Sequence, residues 1–149
     1  MKIDVNIRPA RTQDLAACAG ILNSWIDETD WMPRIHSAED VVRYYRDVVY
    51  RDRKVLVVAA EERVVGMMAL ATDQTVMALY VKQGFRDQGV GHLLVEAAKR
   101  EYPNHVQLWT FQKNIRARRF YEREGFVEIN RTDGDNEENL PDVLMEWRG

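Results

Sequence analysis

The run Leu79-Tyr80-Val81-Lys82-Gln83-Gly84-Phe85-Arg86-Asp87-Gln88-Gly89-Val90-Gly91-His92 has the clearest chemical content in the chain. An apolar stretch passes through a glycine-containing turn straight into a helical pattern. The first N–H groups of a helix lack intrahelical partners and carry partial positive charge. Glycines such as Gly89 and Gly91, with no Cβ, let a phosphate approach those groups closely, and Arg86 adds a guanidinium at the rim. The segment therefore reads as an anion cradle. No Gly-Lys-Ser/Thr follows, which excludes a Walker loop, and a dinucleotide fingerprint would need a third glycine where Leu94 stands.

Charge is distributed to match. Lys82, Arg86, Lys99, Arg100, Lys113, Arg116, Arg118, Arg119 and Arg123 crowd the middle of the chain, while Asp27, Glu28 and Asp30 precede them and Asp133, Asp135, Glu137, Glu138 and Asp142 follow. The middle favours an anion and the flanks a cation. His36, His92 and His105 lie far apart, and no Cys/His spacing suits a metal.

These residues need a scaffold. Ile3–Arg8 alternates as a half-buried strand ended by Pro9, and Thr12 can cap a helix bearing Leu15, Cys18, Ala19, Leu22, Trp25 and Ile26 on one face. Ser37 and Asp40 form a capping box for a second helix with the stripe Val41, Tyr44, Tyr45 and Val48. Lys54–Ala60, Val64–Ala71 and Thr75–Val81 read as a meander of three strands, the first two joined by Glu61-Glu62-Arg63. A helix over Gly89 to Tyr102, a strand at His105–Thr110, a helix over Asn114–Glu124 closed by Gly125, and strands at Phe126–Arg131 and Val143–Trp147 complete the chain. The order β-α-α-β-β-β-α-β-α-β-β predicts an α/β fold, a mixed sheet with helices on both faces.

The length of 149 residues predicts one domain spanning 1–149. The net charge, 21 Lys and Arg against 24 Asp and Glu, is −3, which speaks against nucleic acid as a partner. No apolar run approaches the ~20 residues of a membrane span, and the N-terminus lacks a secretory apolar stretch. With one cysteine, Cys18, the expectation is a cytoplasmic, metal-free protein. Sheet edges leave monomer and homodimer both open.

Arg86-x-x-Gly89-x-Gly91 after an apolar strand resembles the acyl-CoA-binding motif of the GNAT superfamily of N-acetyltransferases. Asn114-x-x-Ala117-x-x-Phe120-Tyr121-x-x-x-Gly125-Phe126 resembles its second signature at the expected distance. The resemblance covers essentially the whole chain and implies a single-domain, mostly antiparallel sheet flanked by helices. It further implies acetyl transfer from acetyl-CoA directly to a primary amine of a small molecule or peptide. Two alternatives keep the fold: transfer of a longer acyl group, or a non-catalytic CoA-sensing domain.

On these residues the resemblance implies that main-chain groups of Leu79, Tyr80 and Val81 pair with the pantetheine arm. Amides of Gln88, Gly89, Val90, Gly91 and His92, beside Arg86 and Asp87, take the pyrophosphate. Asn114 reaches the pantetheine, Ala117 and Phe120 wall the cofactor, and Tyr121 points at the thioester sulfur. A phenol, protonated at neutral pH, can give its proton to a departing thiolate, so Tyr121 is the expected general acid. The amine must lose a proton before it attacks, yet Thr75–Val81, the strand that often carries the family's base, contains no carboxylate. Asp27, Glu28, Asp30 and Trp31 are the expected acceptor-side residues, one of the three carboxylates being a candidate base acting directly or through water, with the acidic loop Asp133–Glu138 able to reinforce their field.

Overall fold

The computed structural model describes residues 4–149, so the expected strand start at Ile3 lies outside the described residues. The strands are β1 (Val5–Pro9), β2 (Lys54–Ala60), β3 (Arg63–Leu70), β4 (Thr75–Val81), β5 (His105–Phe111), β6 (Val127–Thr132) and β7 (Asp142–Arg148). They form one sheet in the order β1-β2-β3-β4-β5-β7-β6, antiparallel throughout except between β4 and β5. Helices α1 (Leu15–Glu28) and α2 (Ala38–Tyr44) cover one face, and α4 (Val90–Glu101) and α5 (Ile115–Arg123) the other. The last turn of the α2 segment, Tyr50–Asp52, is α3.

Alternation along the strands sends side chains into two cores. Val55, Val57, Met67 and Ala69 pack with Cys18, Ala19, Val41 and Tyr45, whereas Leu56, Val58, Met68 and Leu70 pack with Val90, Leu94, Ala98 and Tyr121. Burial pushes the Cys18 thiol up to about 12, so it is an inert core residue.

The structure departs from expectation at several junctions. Pro9 belongs to β1, opposite Leu56, because an edge strand tolerates a residue with no N–H. Thr12 does not cap α1. Instead a 3-10 turn over Thr12–Asp14 precedes it, held by the Asp14 carboxylate, which accepts from the Arg11 amide at 2.8 Å and from Arg8 at 2.6 Å. After Tyr44 the helix widens into a π-helical turn, Tyr45–Val49, which buries Tyr45 and Val49 and leaves Tyr44 52% exposed, where a regular α-helical stripe had pointed to Tyr44 and Val48. The β2–β3 turn has only two residues. Glu61 and Glu62 both adopt positive φ, 51° and 67°, which matches strand twist without the usual glycine or asparagine.

The Arg8 guanidinium holds the Asp14 carboxyl below the ordinary carboxylate range. A carboxyl whose folded pKa is depressed contributes stability that is present above its unfolded value, about 4, and is lost as pH falls through the folded one. Asp14→Asn should therefore cost about 1–3 kcal/mol near neutrality. Denaturation of both proteins between pH 7 and pH 3 should show that gap closing with acid; a constant gap would mean that the pair contributes through shape alone.

Candidate active site

Strands β4 and β5 pair only at Thr75↔Gln107 and Val76↔Leu108 and then diverge. Beyond Val76 the β5 side of β4 is open. Lys82 N–H donates to the Val65 carbonyl at 2.8 Å, and antiparallel bonding alternates, so Tyr80 turns its main-chain groups toward β3 while Leu79 and Val81 turn theirs into the gap. This corrects the expectation for Tyr80, whose contribution to the gap is its side chain. The Val81 carbonyl already accepts from Arg86 Nε at 2.9 Å.

A cleft of about 340 Å³ opens on this gap. Leu79, Tyr80, Val81, Arg86, Asp87, Gly89, Gly91, His92, Asn114, Ala117, Phe120 and Tyr121 all line it. Two expected members do not. Val90 is 2% exposed because its side chain enters the core, and the Gln88 side-chain amide donates back to the Gly84 carbonyl at 3.1 Å, whereas the expectation for both residues concerned their main-chain amides. Gly89, at φ 87°, is the N-cap of α4, a left-handed position that glycine adopts without strain. It offers no side chain to the free amides that follow. Gly91 serves a different need: a Cβ there would lie 3.0 Å from Phe120 Cζ, so its absence lets α4 and α5 approach.

Sequence reasoning missed several residues at this cleft. Arg116 and Arg123 join its wall, and Arg116 pairs with Asp87 at 2.6 Å, both groups well exposed and so able to exchange that partner for a phosphate. Trp25, expected as core, is only half-buried and reaches the cleft from α1, its ring 5.3 Å from that of Tyr80. Gly66 on β3 also escaped notice; a Cβ there would meet Val90 Cγ1 at 2.7 Å, so it seats the start of α4 against the sheet. His92 pairs with Glu124 at 2.7 Å, and with Glu96 these groups lie within 4.8 Å of one another.

On α5, Asn114 caps the helix by accepting from the Ala117 amide at 3.1 Å. One turn later, Tyr121 is 7% exposed and packs edge-on against Phe120 and Phe126. Its hydroxyl makes no hydrogen bond within the described residues, yet no buried polar side-chain atom there is left without a partner. The hydroxyl is therefore open to the cleft that its ring lines. Burial raises this phenol above its ordinary value, so it holds its proton across the physiological range.

A second cavity of about 720 Å³ lies on the α1–α2 face, walled by Leu22, Ile26, Tyr45, Ala78, Trp109 and Phe111 and rimmed by Asp40, Glu137 and Glu138. A gap of about 80 Å³ between β4 and β5, bordered by Tyr80, Phe111 and Tyr121, lies between the two. Tyr80 borders all three spaces. None of the four residues expected on the acceptor side lines any of them. Asp27 pairs with Arg34 at 2.9 Å, Glu28 binds Arg86 at 2.5 Å, Asp30 is exposed, and Trp31 packs edge-on between Trp25 and Phe111 at 5.8 Å from each. The reason is local: the nearby arginines neutralise two of the carboxylates, and the Trp31 ring finds apolar partners. The acidic rim comes instead from the loop before β7, where Glu137 meets His36 at 3.2 Å.

Comparison with known proteins agrees with this geometry. The family described as acetyltransferase (GNAT) domain matches residues 28–148. Among curated proteins the chain is 26% identical over 144 residues, 95% of each chain, to the peptidyl-lysine N-acetyltransferase YiaC of Escherichia coli. It is 29% identical over 136 residues, 86% of this chain and 79% of the other, to an uncharacterized N-acetyltransferase of Chlorobaculum tepidum. Among solved structures, apo YjaB from Escherichia coli superposes with a TM-score of 0.80 at 24% identity over 99% of both chains. The fold of yncA from Salmonella typhimurium, solved with its cofactor acetyl-CoA, matches with a TM-score of 0.75 at 20% identity over 97% of this chain and 94% of that one. With its open β4–β5 gap, its glycine-capped α4 and a family match over most of its length, this chain belongs to the GNAT family of acetyltransferases.

Proposed function

We propose that the protein transfers the acetyl group of acetyl-CoA to a primary amine, with Leu79 and Val81 pairing to the pantetheine, the α4 amides at Gly89–His92 with Arg86 and Arg116 holding the pyrophosphate, and Tyr121 as general acid. The observation that carries this reading is the open edge of β4 between two cavities, with the Tyr121 hydroxyl free at their junction. An extended amide-bearing arm can bond to the open edge as a strand would. The cosubstrate supplies an activated thioester, and the chain supplies orientation and a proton. Acetyl, rather than a longer acyl group, suits a junction of about 80 Å³.

The acceptor side supports a cationic amine. The wide, apolar cavity with acidic residues at its rim fits an aminoalkyl chain, and the name of the Escherichia coli relative makes the lysine of a peptide a reasonable member of that class. A cytoplasmic location belongs to the same proposal, since the lone thiol of Cys18 is unpaired and suits a reducing compartment.

Release of free CoA thiol from acetyl-CoA, measured with hexylamine and with a lysine peptide blocked at both ends, tests the proposal. Thiol should appear only when amine is present, and more slowly at high salt if the acidic rim attracts the acceptor. Binding of acetyl-CoA with no amine-dependent thiol release would instead favour a CoA-sensing domain.

A further inference from the structure

β4 brings no carboxylate to the reaction centre, yet an alkylammonium, of pKa about 10.4, must lose a proton before it can attack. The loop between β6 and β7 offers one from the other side. Of the carboxylates lining the acceptor cavity, Glu137 is paired with His36 and Asp40 with Arg43. Glu138 alone has no ion-pair or hydrogen-bond partner among the described residues, although it is only half-exposed. Glu138 and Tyr80 line the same acceptor cavity, and Tyr80 also borders the donor cleft; burial, with a smaller contribution from the Glu138 charge, pushes the Tyr80 phenol up to about 12.

The loop that carries Glu138 is built to hold its shape. The Asn136 side chain accepts from the Leu140 amide at 3.1 Å and donates to the Leu140 carbonyl at 2.8 Å, clasping the ends of a short turn with Glu137 and Glu138 inside it. The Thr132 hydroxyl hydrogen-bonds Asp142 at the loop base, and Asn139 adopts a positive φ of 54°. Such a braced turn fixes the backbone from which Glu137 and Glu138 project, without using either carboxylate as a brace. The other titratable groups facing the cavity are Tyr45 and Tyr80, His36, Asp40, Tyr44, Arg53 and Glu137. Burial raises the phenol of Tyr45, and no lysine is among them, so Glu138 is the unpaired carboxylate best placed to meet an incoming ammonium.

We infer that Glu138 receives the acceptor ammonium in the α1–α2-side cavity and takes its first proton. This rests on the acetyl-transfer reading above. The freed amine attacks the acetyl carbonyl carbon, forming the C–N bond as the C–S bond breaks. Tyr121 gives its proton to the thiolate; the second proton lost from nitrogen restores the phenol by way of solvent, and Glu138 returns the first to water. The net change is one proton released for each amide formed.

The test compares wild type with Glu138→Gln and Glu138→Asp, using hexylamine and an O-alkyl hydroxylamine that is already neutral at pH 7. Glu138→Gln should lower kcat/KM for hexylamine at pH 7 by about 10²-fold, the ordinary contribution of a positioned base, with activity recovering as pH rises. Glu138→Asp should restore part of the rate. The hydroxylamine, which needs no prior deprotonation, should lose far less, and the rise in melting temperature caused by acetyl-CoA should be unchanged. Wild-type rates in Glu138→Gln, or equal losses with both nucleophiles, would overturn the assignment while leaving acetyl transfer intact. Absence of thiol release by wild type with either nucleophile would remove the transfer reading and this one with it.

Discussion

Tyr121→Phe should slow amine-dependent release of CoA by about 10²-fold or more while leaving acetyl-CoA affinity nearly intact. The substitution removes one oxygen and keeps the ring that packs 5.1 Å from Phe120 and 5.6 Å from Phe126, so the core around α5 does not change. The loss should fall on kcat, because the proton is needed only as the thiolate leaves. Burial raises the phenol's pKa, and a raised pKa means that the acid form persists to higher pH. The wild-type rate should therefore show no alkaline decline from this group below pH ~10. Steady-state kinetics with a saturating amine, together with a melting shift for acetyl-CoA, would check both parts. Full activity in Tyr121→Phe would make water the acid and Tyr121 a packing residue.

Much of this site follows from local rules that a sequence displays. Asn114 stands three residues before the amide it caps, Gly125 ends α5 at φ 94°, and Gly89 ends a strand-to-helix turn at φ 87°. Each depends on neighbours within a turn or two, where residue type and spacing carry the geometry. The order of strands and helices followed equally from periodicity, because the two cores take alternate residues of β2 and β3.

What the sequence hid depends on contacts between distant segments. Asp27 and Glu28 look free in the chain, but Arg34 and Arg86 reach them in the fold. Trp25 sits at a core position of the helical stripe, yet α1 carries it past the edge of the core and into the donor cleft. The acidic loop Asp133–Glu138 is legible as a source of acceptor-side charge, but not that Glu138, 58 residues from Tyr80, is the member that lines the acceptor cavity without a partner among the described residues while the Asn136 clasp braces its turn. Strand register adds one more case: an apolar run does not say which of Leu79, Tyr80 and Val81 directs its main-chain groups into the β4–β5 gap, and the pairing of Lys82 with Val65 does.

Gly91→Leu should abolish the stabilisation that acetyl-CoA confers, a gain of about 2.7 kcal/mol at 100 times its Kd. At this position the new Cβ would lie 3.0 Å from Phe120 Cζ and 3.2 Å from Cε1, so the Phe120 ring must move from the cleft wall, and the rest of the leucine side chain adds bulk where the first turn of α4 faces the ligand. The free protein should not unfold, because leucine favours a helix over glycine by up to about 1 kcal/mol, which offsets part of the strain. Gly89→Ala separates the two roles of glycine in this motif. No atom lies within 4 Å of its Cβ position, so packing is not at issue, but a φ of 87° costs a residue with a side chain about 1–2 kcal/mol. Melting curves with and without acetyl-CoA should thus show a lower starting temperature for both variants, with a rise on adding ligand retained in Gly89→Ala and lost in Gly91→Leu. A full rise in Gly91→Leu would mean that the pyrophosphate does not sit on the first turn of α4, and the cradle would have to be sought among Arg116, Arg123 and the other groups lining the cleft.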